Sequence, residues 1–135
     1  MANVLAVHLL RDASAPRRTA RRTDSPLPRG KLRAVVEYIE EHLDTGLTLE
    51  QIAAVAHLSP YHFARQFRAV TGMPPHQYVI ARRVELAQQL LRDGELTLAE
   101  VAAGAGFSDQ SHLSHHFRRV VGVTPGRFRR SARNA

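Results

Sequence analysis

Two stretches of this 135-residue chain carry the side chains that could do chemistry. Residues 60–70 hold Tyr61, His62, Arg65, Gln66 and Arg68, and residues 109–121 hold Gln110, Ser111, His112, Ser114, His115, Arg118 and Arg119. All can donate or accept hydrogen bonds, and the arginines add fixed positive charge, which suits an anionic polymer. Arg bonds bidentately to guanine O6 and N7, and Gln does the same to adenine. The competing chemistry is a metal, because His112 and His116 are four residues apart, as two ligands on one helical turn would be. No Cys, Asp or Glu completes a tetrahedral set with them. Leu113 also stands where the HExxH pattern of zinc enzymes needs Glu. No metal and no cofactor are expected. Without a glycine-rich phosphate loop, paired carboxylates or a nucleophile constellation, the chain is not expected to be an enzyme.

Helices must position these residues. Phe63, Phe67 and Val70 form one apolar stripe at helical spacing, and Leu113, Phe117 and Val120 or Val121 form another, with the polar residues between them. Residues 31–43 place Leu32, Val35, Val36, Ile39 and Leu43 on one helical face, with Gly46 as the stop. Residues 75–92 make a longer helix, with Pro75 in its first turn and Asp93-Gly94 at its end.

An internal repeat organises the whole. Leu47-Thr48-Leu49 recurs as Leu96-Thr97-Leu98, and Ile52, Ala53, Leu58 and Ser59 recur as Val101, Ala102, Phe107 and Ser108, all at an offset of 49. One residue is then inserted near Asp109–Gln110, and Phe63, Phe67, Gly72, Pro75 and Tyr78 recur as Leu113, Phe117, Gly122, Pro125 and Phe128 at an offset of 50. Each copy opens with a capping box, Thr48 with Gln51 and Thr97 with Glu100. An alanine-rich helix follows, then a three-residue turn, His57-Leu58-Ser59 or Gly106-Phe107-Ser108. The first residue of the turn calls for positive φ, free for Gly106 and mildly strained for His57. The second points into the core, and Ser59 and Ser108 are expected to cap the next helix. Helix, short turn, helix projects its second helix outward, where it can enter a major groove.

Composition agrees with a nucleic-acid partner. The net charge is +7, and its sign alternates: −3 over residues 31–51, +4 over 60–83, −4 over 84–117 and +6 over 118–133. Such blocks imply a polyanion on one face. The chain has no cysteine, which excludes disulfides and thiolate chemistry and fits a reducing cytoplasm. No apolar run approaches the roughly 20 residues that span a membrane. Residues 4–10 lack the preceding basic residue and following cleavage site of a signal peptide. Residues 1–30, with six Arg against two Asp, read as a flexible basic tail or linker, and residues 131–135 as a disordered tail.

Over residues 31–130 the chain resembles the AraC/XylS family of bacterial transcription regulators. The resemblance rests on Leu58-Ser59-Pro60-Tyr61-His62-Phe63, Phe67-Arg68 and Thr71-Gly72-Met73-Pro74-Pro75 in the first copy. In the second it rests on Ala105-Gly106-Phe107-Ser108, Phe117-Arg118-Arg119, Gly122-Val123-Thr124-Pro125 and Phe128. It implies an all-α fold of about seven helices: two tandem helix-turn-helix units, about residues 48–72 and 97–122, joined by a long linker helix. It implies sequence-specific binding of double-stranded promoter DNA by a transcription regulator, more often an activator, that works with RNA polymerase in the cytoplasm, at the nucleoid. Base contacts are then expected from Tyr61, His62, Ala64, Arg65, Gln110, Ser111, His112, Ser114 and His115. Phosphate contacts are expected from Arg68, Arg82, Arg83, Arg118, Arg119, Arg127, Arg129 and Arg130, although Arg82 and Arg83 have Glu85 and Glu95 as rival partners. Asp109 is expected to support its helix rather than touch DNA. Residues 2–12 resemble the last helix of a regulatory domain, so a shortened regulator acting as a protein-interaction module with weak DNA binding is the alternative. The oligomeric state is not set by the sequence, and a monomer is compatible with it.

Overall fold

The computed structural model describes residues 25–134, so the expected tail lies outside the described residues up to Asp24. Within them the chain is all-α, with seven helices and no strand: α1 (Arg29–Glu41), α2 (Leu49–Val55), α3 (Pro60–Thr71), α4 (Pro75–Asp93), α5 (Leu98–Gly104), α6 (Gln110–Val121) and α7 (Pro125–Asn134).

α1 buries Leu32, Val35 and Ile39, the face its periodicity defines. It begins two residues before Lys31, and Leu27 ahead of it is buried, so the fold reaches into the segment that composition assigns to the tail. It also ends at Glu41, well before Gly46. The His42 ring donates from Nδ1 to Tyr38 O at 2.8 Å, taking the carbonyl that the His42 N–H would use in a continuing helix. That N–H bonds Ile39 O instead, at 3.1 Å.

Both capping boxes form. Gln51 N–H donates to Thr48 Oγ1 at 3.1 Å while Gln51 Oε1 accepts from Thr48 N–H at 3.0 Å. Thr97 and Glu100 repeat this at 3.1 and 2.8 Å. Ser59 caps α3 by accepting from His62 N–H at 3.2 Å. Ser108 does not cap α6, contrary to the expectation from the repeat. The inserted residue moves the helix start on by one, and Asp109 takes the role, accepting from His112 N–H at 2.8 Å. A carboxylate is favoured there by the positive end of the helix dipole.

Two cores result. α1, α2, α3 and the start of α4 enclose Val35, Ile39, Ile52, Phe63, Phe67 and Tyr78. The rest of α4, with α5 and α6, encloses Val84, Ala87, Leu91, Val101, Leu113 and Phe117, against which Phe128 of α7 packs. α4 therefore serves both cores: its N-terminal turns close the first and its later turns the second. α7 continues through the expected disordered tail as far as Asn134. Arg133 Nη2 donates to Gly94 O at 2.8 Å and Arg129 Nη2 to Leu96 O at 2.5 Å, pinning α7 to the loop after α4.

The two units also meet directly. Arg83, buried in α4, donates from Nε to Leu43 O at 2.9 Å and from Nη2 to Thr45 O at 2.7 Å. The turn of the second unit closes on the same spot. A Cβ on Gly106 would overlap Leu43 O and lie 2.8 Å from Arg83 Nε.

Candidate nucleic-acid interface

α3 and α6 are built alike. Each has 12 residues and ends at a left-handed glycine, Gly72 or Gly122. Each is anchored from beneath, α3 by Phe63, Phe67 and Val70 and α6 by Leu113 and Phe117. Anchoring one stripe in the core leaves the opposite face to solvent.

On α3, Tyr61, His62 and Arg68 are exposed, while Ala64 and Arg65 are half-buried. Tyr61 is 65% exposed, a high value for an aromatic side chain and one that leaves most of its ring open to a partner. Arg65 lies over that ring, 5.5 Å from its centroid, and its Nη1 donates to Tyr61 OH at 3.1 Å. The pair orders the guanidinium on the outer face. Tyr61, Ala64, Arg65 and Arg68 line an open depression of about 540 Å³ with Ala69 and Pro74. Ala69 and Pro74 are not among the DNA contacts expected from the sequence, although Pro74 belongs to the motif that carries the resemblance. Ala69 lies four residues after Arg65, a spacing that puts both on one helix face.

On α6, Gln110, Ser111, His115, Arg118 and Arg119 are exposed, and His112 and Ser114 are half-buried. The imidazoles form a string along the helix. His112 and His116 meet at 4.8 Å between centroids, His115 and His116 at 5.0 Å, and Phe107 packs on His112 at 5.3 Å. Among the described residues no group of three or more His, Asp or Glu is placed to hold a metal ion.

The expected phosphate set is divided by the structure. Arg68, Arg118, Arg119, Arg127 and Arg130 are exposed. Arg83, expected at phosphate, is instead buried, with its guanidinium donating to two backbone carbonyls. Arg82 is held by carboxylates, donating to Glu40 at 2.8 Å and pairing with Glu85 in its own helix. The hydrogen bond to Glu40 raises its pKa further above the ordinary arginine value. Arg129 is half-buried, with Nη2 on Leu96 O and Nε buried without a partner.

His116 gives a pH prediction. Burial, and then the charges that His112, His115, Arg119 and His76 can carry, hold its pKa below the ordinary histidine value. The unfolded chain therefore takes up this proton first as pH falls. His116 supports the fold fully above about pH 6.5 and loses that support as pH drops through the depressed value. Between about pH 7.5 and pH 5.5 the melting temperature is expected to fall further for the unsubstituted chain than for His116→Gln. Equal falls would contradict this.

The family profile of a helix-turn-helix domain matches residues 52–131. The chain is 40% identical over 91 residues to the probable transcriptional regulator LumQ of Photobacterium leiognathi, covering 67% of this chain and 37% of that protein. It is 35% identical over 96 residues to the MmsAB operon regulatory protein of Pseudomonas aeruginosa, covering 71% and 31%. It thus spans about a third of the length of these curated relatives. Among solved structures it is similar to the DNA-binding domain of the global transcriptional factor AdpA in complex with a target DNA. The TM-score is 0.73 at 37% identity, covering 82% of this chain and 95% of that one. A transcriptional regulator of Chromobacterium violaceum with an AraC-type DNA-binding domain follows with TM-score 0.72 at 26% identity, covering 77% and 93%. With two capped, core-anchored helix-turn-helix units on one long helix, and with these relatives, the chain belongs to the AraC-type helix-turn-helix family of DNA-binding transcription regulators.

Proposed function

We propose that this chain binds double-stranded promoter DNA in a sequence-specific manner, with α3 and α6 entering successive segments of the major groove. The observation that carries this reading is the pair of equivalent helices, each buried along one stripe and polar on the other face, held on a shared α4. Tyr61, His62, Ala64 and Arg65 read base edges from α3; Gln110, Ser111, His112, Ser114 and His115 do so from α6. Arg68, Arg118, Arg119, Arg127 and Arg130, exposed and cationic, hold phosphates. The regulator acts as an activator, working beside RNA polymerase in the cytoplasm, at the nucleoid. The AdpA domain with its target DNA supports the DNA partner by analogy of fold.

Two substitutions test the division of labour. Arg65→Ala is expected to cost about 1–3 kcal/mol on the preferred site and to relax preference at one guanine. Arg118→Ala is expected to weaken all duplexes alike and to reduce the slope of affinity against salt by about one counterion. Affinities on a site selected from random duplexes and on random DNA, each over a salt series, are the measurement. Equal loss on both duplexes for Arg65→Ala would remove it from base reading.

A further inference from the structure

The repeat brings the same two residue types together in both units, by two different bonding patterns. Ser59 corresponds to Ser108 at an offset of 49, and His62 corresponds to His112 at an offset of 50, because the inserted residue lies between them. The separation from serine to histidine therefore grows from three residues to four. The contact nevertheless survives: Ser59 Oγ lies 2.7 Å from His62 Nδ1, and Ser108 Oγ lies 3.1 Å from His112 Nδ1. The cap did not survive the same insertion, since it passed from serine to Asp109.

The arrangement at Ser108 dictates where the imidazole proton sits, and the one at Ser59 is compatible with the same placement. Ser59 Oγ accepts from His62 N–H on one lone pair; its hydroxyl proton can turn to Nδ1, and its second lone pair can equally accept from Nδ1–H, so here the tautomer is the proposal's own step. At Ser108 the backbone N–H points at His112 Nδ1, 3.1 Å away, and a backbone amide can only donate. A ring nitrogen that accepts a hydrogen bond carries no proton. The neutral imidazole must then carry it on Nε2.

We propose that the Ser59 hydroxyl and the Ser108 backbone N–H set the tautomer of the His62 and His112 imidazoles, with the proton on Nε2, so that α3 and α6 each offer an N–H donor at equivalent places. The matching group on the duplex is a hydrogen-bond acceptor, either a purine N7 or a phosphate oxygen. This part rests on the proposed DNA binding; the tautomer itself does not.

The first measurement is the long-range proton–nitrogen correlation spectrum of the imidazoles in the full DNA-free chain at about pH 8, where histidine is neutral. His62 and His112 are expected as Nε2–H tautomers, with less of the other form than the exposed His57 shows. Ser59→Ala should return His62 to the mixture of His57, and Ser59→Thr, which keeps cap and hydroxyl, should not. Ser59→Asp, a folded cap with no proton to give, should move the His62 proton to Nδ1. Ser108→Ala should leave His112 unchanged, because the backbone donor remains. An Nδ1–H tautomer or a solvent-like mixture at either histidine in the unsubstituted chain overturns the proposal.

The second measurement is DNA affinity. His62→Leu and His112→Leu are each expected to weaken the selected site about tenfold, while Gln, which retains a donor near the Nε2 position, stays within about threefold. A loss confined to the selected site assigns the donor to a base edge, and an equal loss on random DNA assigns it to phosphate. Gln no better than Leu overturns the donor role. If the unsubstituted chain binds no duplex, the proposed function fails, and the tautomer result stands apart from it.

Discussion

Gly106→Ala is expected to cost about 3–5 kcal/mol of folding stability, while Gly122→Ala costs about 1 kcal/mol. Both glycines have positive φ, +90° and +98°. Positive φ alone is a modest penalty for an L-residue, about 1–2 kcal/mol. The first unit shows it is bearable, because His57 holds φ 59° at the position equivalent to Gly106. What separates the two sites is space. Around Gly122 an added Cβ meets nothing within 4 Å. At Gly106 it overlaps the Leu43 carbonyl oxygen and falls 2.8 Å from Arg83 Nε, and a backbone oxygen can yield only if the segment after α1 and the second unit move apart. Domains of this size have roughly 5–15 kcal/mol to lose. Urea denaturation of both variants is the check. Costs within about 1 kcal/mol of each other would show that the contact between the units is slack.

Arg83→Met is expected to cost about 2–4 kcal/mol. Methionine restores part of the buried stem but supplies no donor, so Leu43 O and Thr45 O lose their charged partner. Hydrogen bonds from a charged group contribute about 1.5–3 kcal/mol each. The cost of burying the guanidinium offsets part of that, as does water reaching Thr45, which is exposed. Because the bonds run from α4 to the segment after α1, their loss should also loosen one unit against the other. Affinity for a site with two half-sites should then fall more than affinity for either half-site alone, measured where the variant is fully folded. A stability loss below about 0.5 kcal/mol would show that the carbonyls are satisfied without Arg83.

The sequence and the structure agree where the determinants are local. Thr48 with Gln51 and Thr97 with Glu100 are three residues apart, and the His57 and Gly106 turns are set by a single dihedral, so neighbouring residues reveal them. The apolar stripes of α3 and α6 were legible for the same reason, and with them the outward polar face. Arg82 and Arg83 mark the limit. They are adjacent arginines on one helix; the local pair of Arg82 with Glu85 is among the partners the sequence offers, but only groups 38 to 42 residues away add Glu40 to Arg82 and bury Arg83 on backbone carbonyls. The end of α1 was misplaced because Gly46 is a familiar stop signal, whereas a ring bond from His42 to Tyr38 O has no sequence signature. The α7 extension likewise depends on Arg133 reaching Gly94 O, 39 residues away. The sequence marks Asp109 as support for its helix, which the cap bears out; what it assigned wrongly was Ser108, although the insertion moves every later residue on by one.

The central claim is that both helices occupy DNA at once, and hydroxyl-radical footprinting of the full chain on its selected site tests it most directly. Two protected windows are expected on one face of the duplex, centred about 10 base pairs apart, or roughly 34 Å. Gln110→Ala together with His115→Ala should thin one window and leave the other, set by α3, in place. A single window of about 6 base pairs at saturation would contradict the account, because it would mean that only one of the two helices meets the groove.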